Sequence, residues 1–530
     1  MLPTSTKVTV NVATKLPKDA DAVVVFVAEG GRLSGDAPQI LTDGQMRSVD
    51  RLMHAEVARG KAREVVFDLV DEPKLGLKRV YVAGLGPAEK LTPEVVRQAA
   101  GAVARAVRKH RLKHVAVVPP MLKQPGWSGA ESTVEGFCLA SFDYAEYRGT
   151  GRKKERDESG AQPTRLTILS TEHAASRIRE RVERGGIIYE SQNFARTIAS
   201  RPGNDINPPK LADVARQMAR ELKLGIRVLD EKEMKRLGMG GILGVGAGSI
   251  NTPPRMIVLE YRGSGVGSTV SGKTKSRNTR PETRNPKPLL VVGKAITFDT
   301  GGISIKPAEK MGKMIYDKCG AMAVLGLMSA VARLKPNISV VGILSSAENI
   351  LSESAYRPGD ILRMYNGVTV EVTNTDAEGR LVLGDALAWG IETYKPAAVV
   401  DLATLTGGCV VALGTWQAGM MSNNDKLVEE IQRAADSAGE KFWRLPVGDA
   451  ERDQIKSDAA DIVNSCGRWG SPITAGAFLS YFVPRDGSVP WAHLDIAGVA
   501  DTDKELPYYA KGATGFGVRT LVEWVMSRAS

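Results

Sequence analysis

The fold class is decided by residues 79–119, whose sequence is RVYVAGLGPAEKLTPEVVRQAAGAVARAVRKHRLKHVAVVP. Its two ends, residues 79–84 and 114–119, are short apolar runs rich in β-branched side chains, which predicts two strands. The segment between them begins with Thr92, a good helix N-cap, and Pro93, which fits the first helical position. Strand–helix–strand order predicts a parallel pair of strands and therefore a layered α/β domain.

The same pattern continues along the chain and predicts two α/β domains, a smaller N-terminal one and a larger C-terminal one. A chain of 530 residues is too long for one ordinary core. We place the N-terminal domain at residues 1–165, a linker with a bridging helix at residues 166–200 and the second domain at residues 201–530. Strand candidates in the second domain alternate with helical patterns, which predicts a central mixed sheet flanked by helices. These candidates are Ile226–Leu229, Met256–Tyr261, Leu289–Val292, Ile338–Leu344, Ala398–Leu402 and Ala412–Leu413.

The composition argues against several classes of protein. Apolar residues make up 43% and charged residues 25% of the chain, as in ordinary globular proteins. The apolar runs are shorter than the roughly 18–20 residues of a membrane span, and the N-terminus lacks the pattern of a secretory signal. The four cysteines are far apart and form no CxxC pair, which argues against a disulfide framework or a cysteine zinc site. We therefore expect a cytoplasmic protein with no membrane segment.

The net charge of +11 raises the question of a nucleic-acid partner. Nearly half of this excess lies in residues 263–288, which contain six lysines and arginines against one acid. The segment is rich in Gly, Ser, Thr and Asn and has too little apolar surface to fold by itself, so we interpret it as a flexible basic insertion. A solvated loop without function is the favoured interpretation. A contact with nucleic acid or another acidic surface is the alternative.

Residues capable of catalysis concentrate in four short stretches that follow predicted strand ends in the second domain. Sheets of this kind bind their ligands at the carboxyl ends of their strands. The first stretch also contains a Gly301-Gly302 pair, and glycines let the backbone approach a ligand closely. The four stretches are residues 292–307 (VGKAITFDTGGISIKP), 314–321 (MIYDKCGA), 374–381 (NTDAEGRL) and 401–408 (DLATLTGG).

Four acids in these stretches carry the main inference. They are Asp299, Asp317, Asp376 and Glu378, and they stand in apolar or Gly-rich surroundings. If the fold gathers them, they repel one another and take up protons unless cations hold them. Two divalent ions bridged by carboxylates would solve this problem and would also activate a water molecule. Oxygen ligands suit magnesium, manganese or zinc, and no histidine lies near these acids in the sequence, so a His-rich zinc site is not expected.

The residue patterns by themselves leave two interpretations open. The acids, taken with Lys294, Lys306 and Arg380, support either a metal site or a phosphate site. Each residue alone has a simpler explanation, such as a helix cap for an aspartate, a surface position for a lysine or a structural ion pair for Arg380. Two-metal carboxylate sites also cleave phosphate esters, so a metallo-phosphoesterase is the competing enzyme class.

Residues 374–381 resemble the signature octapeptide of the leucyl aminopeptidase (cytosol aminopeptidase) family, which includes bacterial aminopeptidase A. Residues 292–307 and 314–321 match the other metal motifs of this family, in the same order. The resemblance covers about residues 190–525, whereas the N-terminal domain matches only loosely. Further matching segments are residues 200–212, 404–407, 467–482 and 491–498.

This resemblance implies a fold, an activity and an assembly. The N-terminal domain would be macro-like, and the second domain would be a dinuclear metallopeptidase. The activity would be removal of the N-terminal residue of peptides, preferentially leucine or another apolar residue. The cofactors would be two divalent metal ions per subunit, manganese or zinc, together with a bicarbonate ion. The family assembles as a homohexamer, a dimer of trimers.

The resemblance also implies five metal ligands. Asp299 and Glu378 would bridge the two ions. Lys294 and Asp317 would complete one ion, and Asp376 would complete the other. Lys294 can bind a metal only as a neutral amine, so the metal must lower its pKa far below the usual ~10.4.

Two further residues would serve the reaction itself. By the same resemblance, Lys306 stays charged and stabilises the developing oxyanion, and Arg380 holds the bicarbonate ion that acts as general base. The pocket for the first side chain of the peptide would be lined by Met314, Thr404, Leu405, Thr406 and Gly407.

Three features depart from the family pattern. Ala295 stands where glycine is usual, so the backbone beside Lys294 has less freedom. Gly312 stands where an acid is common, and we expect little effect because that acid is not a ligand. The insertion at residues 263–288 is longer and more basic than usual. Some bacterial members of the family bind DNA, so DNA binding is kept as an addition to the activity.

Overall fold

The structure, a computed structural model, describes residues 8–33, 35–73, 75–122, 129–152, 164–263 and 287–529. The predicted basic insertion at residues 263–288 lies almost entirely outside these described residues. The interpretation of that segment therefore stays a prediction.

The N-terminal part of the chain forms a seven-stranded sheet in the order β1-β7-β6-β2-β5-β4, with β3 paired to β2. Strands β1, β7, β6, β2 and β5 run parallel, and β3 and β4 are antiparallel to their partners. The strands are β1 (Thr9–Ala13), β2 (Ala22–Ala28), β3 (Arg32–Leu33), β4 (Val65–Glu72), β5 (Gly76–Gly84), β6 (His114–Val117) and β7 (Arg165–Leu169). The helices are α1 (Ala37–Ile40), α2 (Asp43–His54), α3 (Pro93–Lys109) and α4 (Gly129–Ala140).

The two strands and the helix predicted for residues 79–119 are present, but the two strands are not neighbours in the sheet. Thr92 caps α3 through a hydrogen bond that its Oγ1 accepts from Val95 N at 3.3 Å. Strands β5 and β6 run in the same direction, yet β2 lies between them and pairs with both. Every residue of β2 is buried, because α3 and α4 pack on one face of the sheet and α2 packs on the other. A central position for β2 buries its apolar run on both faces.

A 26-residue helix, α5 (Ala175–Ser200), connects the N-terminal sheet to the rest of the chain. Val182 and Tyr189 of this helix pack in the N-terminal core, and residues such as Ala195 and Ile198 nearer its end pack in the second core. The helix predicted at residues 166–200 is therefore present. The exact domain boundaries proposed from the sequence stay a prediction, and strand β7 belongs to the N-terminal sheet.

The second domain is built on an eight-stranded mixed sheet in the order β16-β15-β18-β14-β10-β11-β9-β8. Its centre, β11-β10-β14-β18, is parallel, and antiparallel pairs flank this centre. The strands of this sheet are β8 (Gly225–Leu229), β9 (Arg255–Tyr261), β10 (Leu289–Asp299), β11 (Val340–Asn349), β14 (Ala398–Ala403), β15 (Ala418–Ser422), β16 (Phe442–Arg444) and β18 (Trp491–Asp495). Two small sheets contain β12 (Ile361–Arg363), β13 (Thr369–Glu371), β17 (Ile462–Val463), β19 (Asp501–Thr502) and β20 (Gly512–Ala513).

Helices cover both faces of this sheet and enclose two apolar cores. The described helices are α6 (Pro208–Leu222), α7 (Glu231–Leu237), α8 (Gly240–Gly246), α9 (Cys319–Leu334), α10 (Gly379–Tyr394), α11 (Gly407–Leu413), α12 (Asp425–Ala438), α13 (Asp449–Asp453), α14 (Ser471–Ser480) and α15 (Val518–Ala529). The predicted two-domain α/β fold with a mixed central sheet is confirmed.

One predicted strand is wrong. Ala412–Leu413 forms the end of helix α11, which Thr406 caps by accepting a hydrogen bond from Cys409 N at 3.1 Å. A short apolar run fits a strand and a helix equally well, and here Thr406 favours the helix because it caps the helix N-terminus.

By length and composition, one helical segment in the described part of the chain could cross a membrane, Met311–Leu334. Its most apolar window is 83% buried inside the protein. Core helices share these properties, so the segment is weak evidence for a membrane span.

Candidate metal centre and active site

The first group of site residues lies at the carboxyl end of β10. Asp299 is buried, and its Oδ1 accepts hydrogen bonds from Gly301 N at 2.8 Å and from Asn349 Nδ2 at 2.9 Å. The chain then turns sharply through Gly301, whose φ is +86°. A Cβ at Gly301 would lie 2.5 Å from Ser304 O, so this turn requires glycine. The turn brings Lys306 back towards the strand end.

The second group lies where a short 3₁₀ helix, Met311–Tyr316, meets the N-terminus of α9. Asp317 follows the 3₁₀ helix and is buried. Its Oδ1 accepts a hydrogen bond from Thr404 Oγ1 at 2.7 Å, which ties it to the end of β14. Asp317 N also donates to Met314 O at 3.3 Å, so Asp317 contacts two other predicted site residues, Met314 and Thr404.

The octapeptide at residues 374–381 forms the loop that enters helix α10. Thr375 Oγ1 donates a hydrogen bond to Gly301 O at 2.6 Å, so the octapeptide and the glycine turn are joined directly. Glu378 is the N-cap residue of α10 and is buried. A Cβ at Gly379 would lie 2.8 Å from Lys294 Nζ, so glycine permits the close approach of α10 to the lysine.

These stretches bring together six of the seven charged residues predicted for the site, all except Arg380. Carboxylate oxygens of Asp299, Asp376 and Glu378 all lie within 4.8 Å of one another. Lys294 Nζ lies 2.7 Å from Glu378 Oε1 and 2.9 Å from Asp317 Oδ2. We call Asp299, Asp317, Asp376 and Glu378 the carboxylate cluster.

Lys306 contacts the opposite side of the cluster from a partly exposed position. Its Nζ lies 2.7 Å from Asp299 Oδ2 and also pairs with Asp376 Oδ1. Burial opposes the charge of Lys306, but Asp299, Glu378 and Asp376 raise its pKa above the ordinary value. Lys306 is therefore a fixed positive charge at neutral pH, and it stands beside the acids.

The electrostatics of the carboxylate cluster show strong mutual repulsion. Burial, followed by Glu378 and Asp317, raises the pKa of Asp299 to about 8. Burial also raises the pKa of Asp317 to about 6 and that of Asp376 above its ordinary value. Glu378 differs, because Lys294 and Lys306 outweigh burial and lower its pKa. The protein's own lysines thus neutralise the cluster only in part.

The carboxylate cluster fits divalent metal ions on the chemistry of its own atoms. Four carboxylates against two ammonium groups leave two uncompensated negative charges when all six groups are ionised. Glu378 Oε2 is buried and has no hydrogen-bond partner among the described residues. Buried carboxylate oxygens without donors are favourable only when a cation holds them, and hard oxygen ligands suit magnesium, manganese or zinc.

Lys294 is held by the same acids. Burial opposes its charge, but Asp317, Glu378 and Asp299 together raise its pKa above the ordinary value. Its Nζ also donates a hydrogen bond to Thr404 O at 2.9 Å. These protein groups alone favour a charged amine, so only a cation bound among the same carboxylates would favour the neutral form that metal binding requires.

Arg380 lies in the first turn of α10, buried at 5% exposure. Its Nη1 donates a hydrogen bond to Asn464 O at 2.8 Å, and its Nε has no hydrogen-bond partner in the described part of the chain. Burial lowers the pKa of Arg380 to about 10, so the side chain stays charged at neutral pH. A buried guanidinium with unused donors is suited to an anion.

The predicted side-chain pocket begins where β14 ends. Leu405 N donates to Asp495 Oδ1 at 3.1 Å, and Thr406 Oγ1 donates to Asp495 Oδ2 at 2.7 Å. Thr404 is tied to the carboxylate cluster through Lys294 and Asp317, whereas Gly407 is exposed at the start of α11. The structure therefore sets this segment beside the cluster.

Sequence reasoning missed two asparagines that organise the site. Asn349 Nδ2 donates to Asp299 Oδ1 and to Thr375 O, both at 2.9 Å. Asn464 Nδ2 donates to Asn374 O at 2.7 Å, while its own carbonyl accepts from Arg380. An amide residue has no chemistry that marks it in a single sequence, and only the fold shows that its partners are catalytic candidates.

The departure at Ala295 is accommodated by the strand. Ala295 is buried in β10 and pairs with Ser346 of β11. Ser346 Oγ donates to Ala295 O at 3.1 Å. A Cβ at Gly312 would have no atom within 4 Å, so that position is open to a side chain but does not require one.

A mixed sheet that carries clustered carboxylates and two lysines beside its strand ends is typical of a metal-dependent enzyme. Comparison with known proteins narrows this class. The model of the cytosol aminopeptidase family, catalytic domain, matches residues 193–522, and the model of the N-terminal domain of the same family matches residues 24–150. The chain belongs to the cytosol aminopeptidase family.

Individual relatives agree with this assignment over nearly the whole chain. A probable cytosol aminopeptidase of Cenarchaeum symbiosum is 41% identical over 485 residues, which are 91% of this chain and 92% of the relative. One of Aquifex aeolicus is 38% identical over 514 residues, 96% of each chain. Membership makes the protein a metal-dependent aminopeptidase that removes N-terminal residues from peptides.

Two solved structures share the complete architecture. The bottromycin maturation enzyme BotP in complex with Mn has a TM-score of 0.79 and 31% identity, and the match covers 96% of this chain and 100% of BotP. A mutant of tomato leucine aminopeptidase has a TM-score of 0.79 and 29% identity, with 98% and 97% covered. The predicted family is thus confirmed, and so is the predicted fold.

Proposed function

We propose that this chain is a leucyl-type aminopeptidase that cleaves after an N-terminal leucine or another apolar residue with two bound manganese or zinc ions. The observation that carries the proposal is the carboxylate cluster, in which three acids lie within 4.8 Å of one another beside two lysines. The neighbouring structure of BotP contains manganese, which supports manganese as one of the candidate metals.

Five residues would hold the metal pair. Asp299 and Glu378 would be ligands shared by the two ions. Lys294 and Asp317 would complete one ion, because they contact each other at 2.9 Å. Asp376 would complete the other ion from its partly exposed position. When bound, the ions would acidify a water molecule and polarise the scissile carbonyl group.

Lys306 would stabilise the negative charge that develops on the carbonyl oxygen of the substrate. Its position beside Asp299 and Asp376 and its raised pKa keep it protonated through the reaction. A fixed ammonium group in a partly buried site contributes strongly, because little reorganisation is needed as the charge develops.

Arg380 would hold a bicarbonate ion as the general base of the reaction. The buried guanidinium has an unused Nε donor and stays charged at neutral pH. The pocket for the N-terminal side chain would be formed by an apolar thioether and the turn after β14. Its residues are Met314, Thr404, Leu405, Thr406 and Gly407.

The proposal is tested by the hydrolysis of leucine-p-nitroanilide and alanine-p-nitroanilide before and after treatment with EDTA. We expect activity to disappear with EDTA and to return when manganese or zinc is added. Hydrolysis of p-nitrophenyl phosphate in parallel tests the metallo-phosphoesterase alternative. Undiminished peptidase activity in metal-free enzyme, or activity on the phosphate ester alone, would refute the proposal.

We further propose a homohexamer, a dimer of trimers, in the cytoplasm. The family resemblance supports this assembly, and the free state of all four cysteines is compatible with a reducing compartment. Sedimentation equilibrium should give six times the mass of one 56.8 kDa chain. A monomer or dimer at micromolar concentration would contradict the hexamer.

DNA binding is a second candidate function, additional to the peptidase activity. The net charge of +11, of which +5 falls in residues 263–288, favours it. Affinity for duplex DNA should fall steeply between 50 and 200 mM salt. A variant that lacks residues 264–286 should lose this binding and keep peptidase activity. Equal DNA binding by the variant and the unaltered protein would show that the segment is not the DNA-binding site.

A further inference from the structure

Residues 465–470 form a six-residue loop, Ser-Cys-Gly-Arg-Trp-Gly, which we call the rim loop. One end is fixed to the octapeptide. Asn464, immediately before the loop, donates to Asn374 O at 2.7 Å and accepts from Arg380 at 2.8 Å. The loop therefore starts at the wall of the site that carries Asp376, Glu378 and Arg380.

The other end of the rim loop is fixed to the opposite wall. Ser471 begins helix α14 and lies so close to Gly408 that a Cβ there would be 2.2 Å from Ser471 Oγ. Gly408 follows the segment 404–407, which contacts the carboxylate cluster through Thr404. The rim loop therefore joins two segments that flank the active site.

Two side chains of the rim loop are exposed although they are well suited to binding. Trp469 is 85% exposed, while Trp491 and Trp524 are fully buried. The guanidinium of Arg468 lies 5.9 Å from the centre of the Trp469 ring. Among the residues that the structure describes, no carboxylate forms an ion pair with Arg468. An apolar platform and an uncompensated cation therefore occur side by side.

We propose that Arg468 and Trp469 bind the part of the peptide that follows the scissile bond. The indole ring would pack against an apolar side chain, and the guanidinium would pair with the free C-terminal carboxylate of a short peptide. This inference rests on the proposed peptidase function. It deepens that function, because it makes short peptides with an apolar C-terminal residue the favoured substrate class.

The chemistry of both side chains matches this ligand. Tryptophan offers a large, rigid apolar surface, and arginine binds a carboxylate through two parallel N–H donors. A dipeptide or tripeptide presents its C-terminal carboxylate within about 3.3–3.6 Å per residue of the bond to be cleaved. Because both ends of the rim loop adjoin the active site, the proposed pair would meet the carboxylate of a short peptide whose N-terminal amine occupies the metal centre.

The test compares three substrates that differ only beyond the scissile bond: leucinamide, leucyl-phenylalanine and leucyl-phenylalaninamide. Trp469→Ala should lower kcat/KM about tenfold for both peptides and leave leucinamide unchanged. Arg468→Ala should lower kcat/KM about threefold for leucyl-phenylalanine and leave its amide unchanged. Trp443→Ala and Arg236→Ala replace comparably exposed side chains elsewhere and serve as matched controls.

The outcomes separate this inference from the proposed function. Failure of the unaltered enzyme to hydrolyse leucinamide and both peptides would overturn the proposed function and the inference with it. Normal hydrolysis of all three substrates by Trp469→Ala and Arg468→Ala would overturn the inference alone. An altered oligomeric mass for Trp469→Ala in sedimentation would overturn it as well, because the tryptophan would then be a contact between copies of the chain.

Discussion

Two regions of the molecule bury several charged side chains, and they balance the charges in opposite ways. The carboxylate cluster contains more acids than bases, and its acids repel one another. The second region lies where the N-terminal helices meet the catalytic domain and is dominated by three fully buried arginines, which we call the arginine cluster. Its members are Arg97 of α3, Arg196 of α5 and Arg519 of α15.

The arginine cluster places most of its donors against protein groups, although Arg97 Nη1 and Arg196 Nη2 have no hydrogen-bond partner among the described residues. Arg97 forms a buried ion pair with Glu135. Arg519 Nε donates to Ala438 O at 3.1 Å, and its guanidinium lies 5.1 Å from the centre of the Tyr508 ring. Arg196 donates to the carbonyl oxygens of Ala513 and Leu139 at 3.0 and 2.9 Å, and it stacks on the Phe142 ring at 3.9 Å.

This difference between the two clusters distinguishes buried charges that stabilise the fold from buried charges that serve a function. Burial lowers the pKa of Arg196 to about 9, whereas neighbouring groups outweigh burial and raise the pKa of Arg97 and of Arg519, so all three arginines stay charged at neutral pH. In the carboxylate cluster, burial and neighbouring acids raise the pKa of Asp299 to about 8. A self-balanced cluster stabilises the fold as it stands, whereas an unbalanced cluster needs a cation from outside.

The largest expected effect concerns the carboxylate cluster, where acids outnumber bases. Asp376→Ala and Lys306→Ala should each lower kcat for leucine-p-nitroanilide by about 10³-fold or more. The free energy of unfolding without added metal should fall by no more than about 1 kcal/mol for Asp376→Ala, because the change removes a repelling charge. Steady-state kinetics and urea denaturation measure the two quantities. Turnover near that of the unaltered enzyme would refute the assignment of either residue.

The second prediction concerns the arginine cluster. Arg97→Met should lower the free energy of unfolding by about 3–5 kcal/mol, because it leaves Glu135 buried without its partner. The double variant Arg97→Met/Glu135→Leu should recover much of this loss, since neither charge is then buried. Urea denaturation measures both. If Arg97→Met abolished catalysis without a loss of stability, the cluster would have a functional role that the comparison denies.

The sequence predicted one of these two regions and not the other. The octapeptide and its companion motifs combine several acids, glycines and lysines in a specific order, so the carboxylate cluster could be named residue by residue. Arg97, Arg196 and Arg519 occur singly in helical stretches, where an arginine is usually exposed. The burial of Arg196 and Arg519 depends on contacts with residues 317 and 327 positions away in the chain, and such contacts leave no local pattern.

The same limit explains the errors of detail in the fold. The order of β2, β5 and β6 could not be predicted, because strand–helix–strand patterns give direction and not adjacency. Ala412–Leu413 was assigned to a strand because two apolar residues carry no period. The roles of Asn349 and Asn464 needed the positions of their backbone partners.

The catalytic domain also contains a buried pair of side chains with opposite charges, Asp401 and His493. This pair allows the effect of pH on stability to be tested. Their side chains are 2.6 Å apart and fully buried, and Trp491 Nε1 donates to the same carboxylate at 2.7 Å. Burial opposes the charge of His493, but Asp401 outweighs it and raises the pKa of His493 above the ordinary value of 6.5. The pair therefore contributes stability that is fully present below about pH 6.5 and is lost as the pH rises through the raised pKa.

Urea denaturation between pH 6 and 9 checks this sign. The free energy of unfolding should fall with rising pH, and Asp401→Asn should flatten the dependence while it lowers stability at pH 6. A slope that survives Asp401→Asn would assign the titration to another group.

The smallest expected effect concerns Ala295, the family departure beside Lys294. Lys294 is held by Asp317, Glu378 and Thr404 O, so its position depends on the carboxylate cluster more than on the freedom of its neighbour. Ala295→Gly should therefore change kcat/KM less than twofold. It should lower the free energy of unfolding by about 0.5–1 kcal/mol, because glycine is less favourable in a strand interior. Ala347→Gly, on the adjacent strand and equally buried, should match it in stability and activity, and a selective gain in activity for Ala295→Gly would show that the departure restrains the metal ligand.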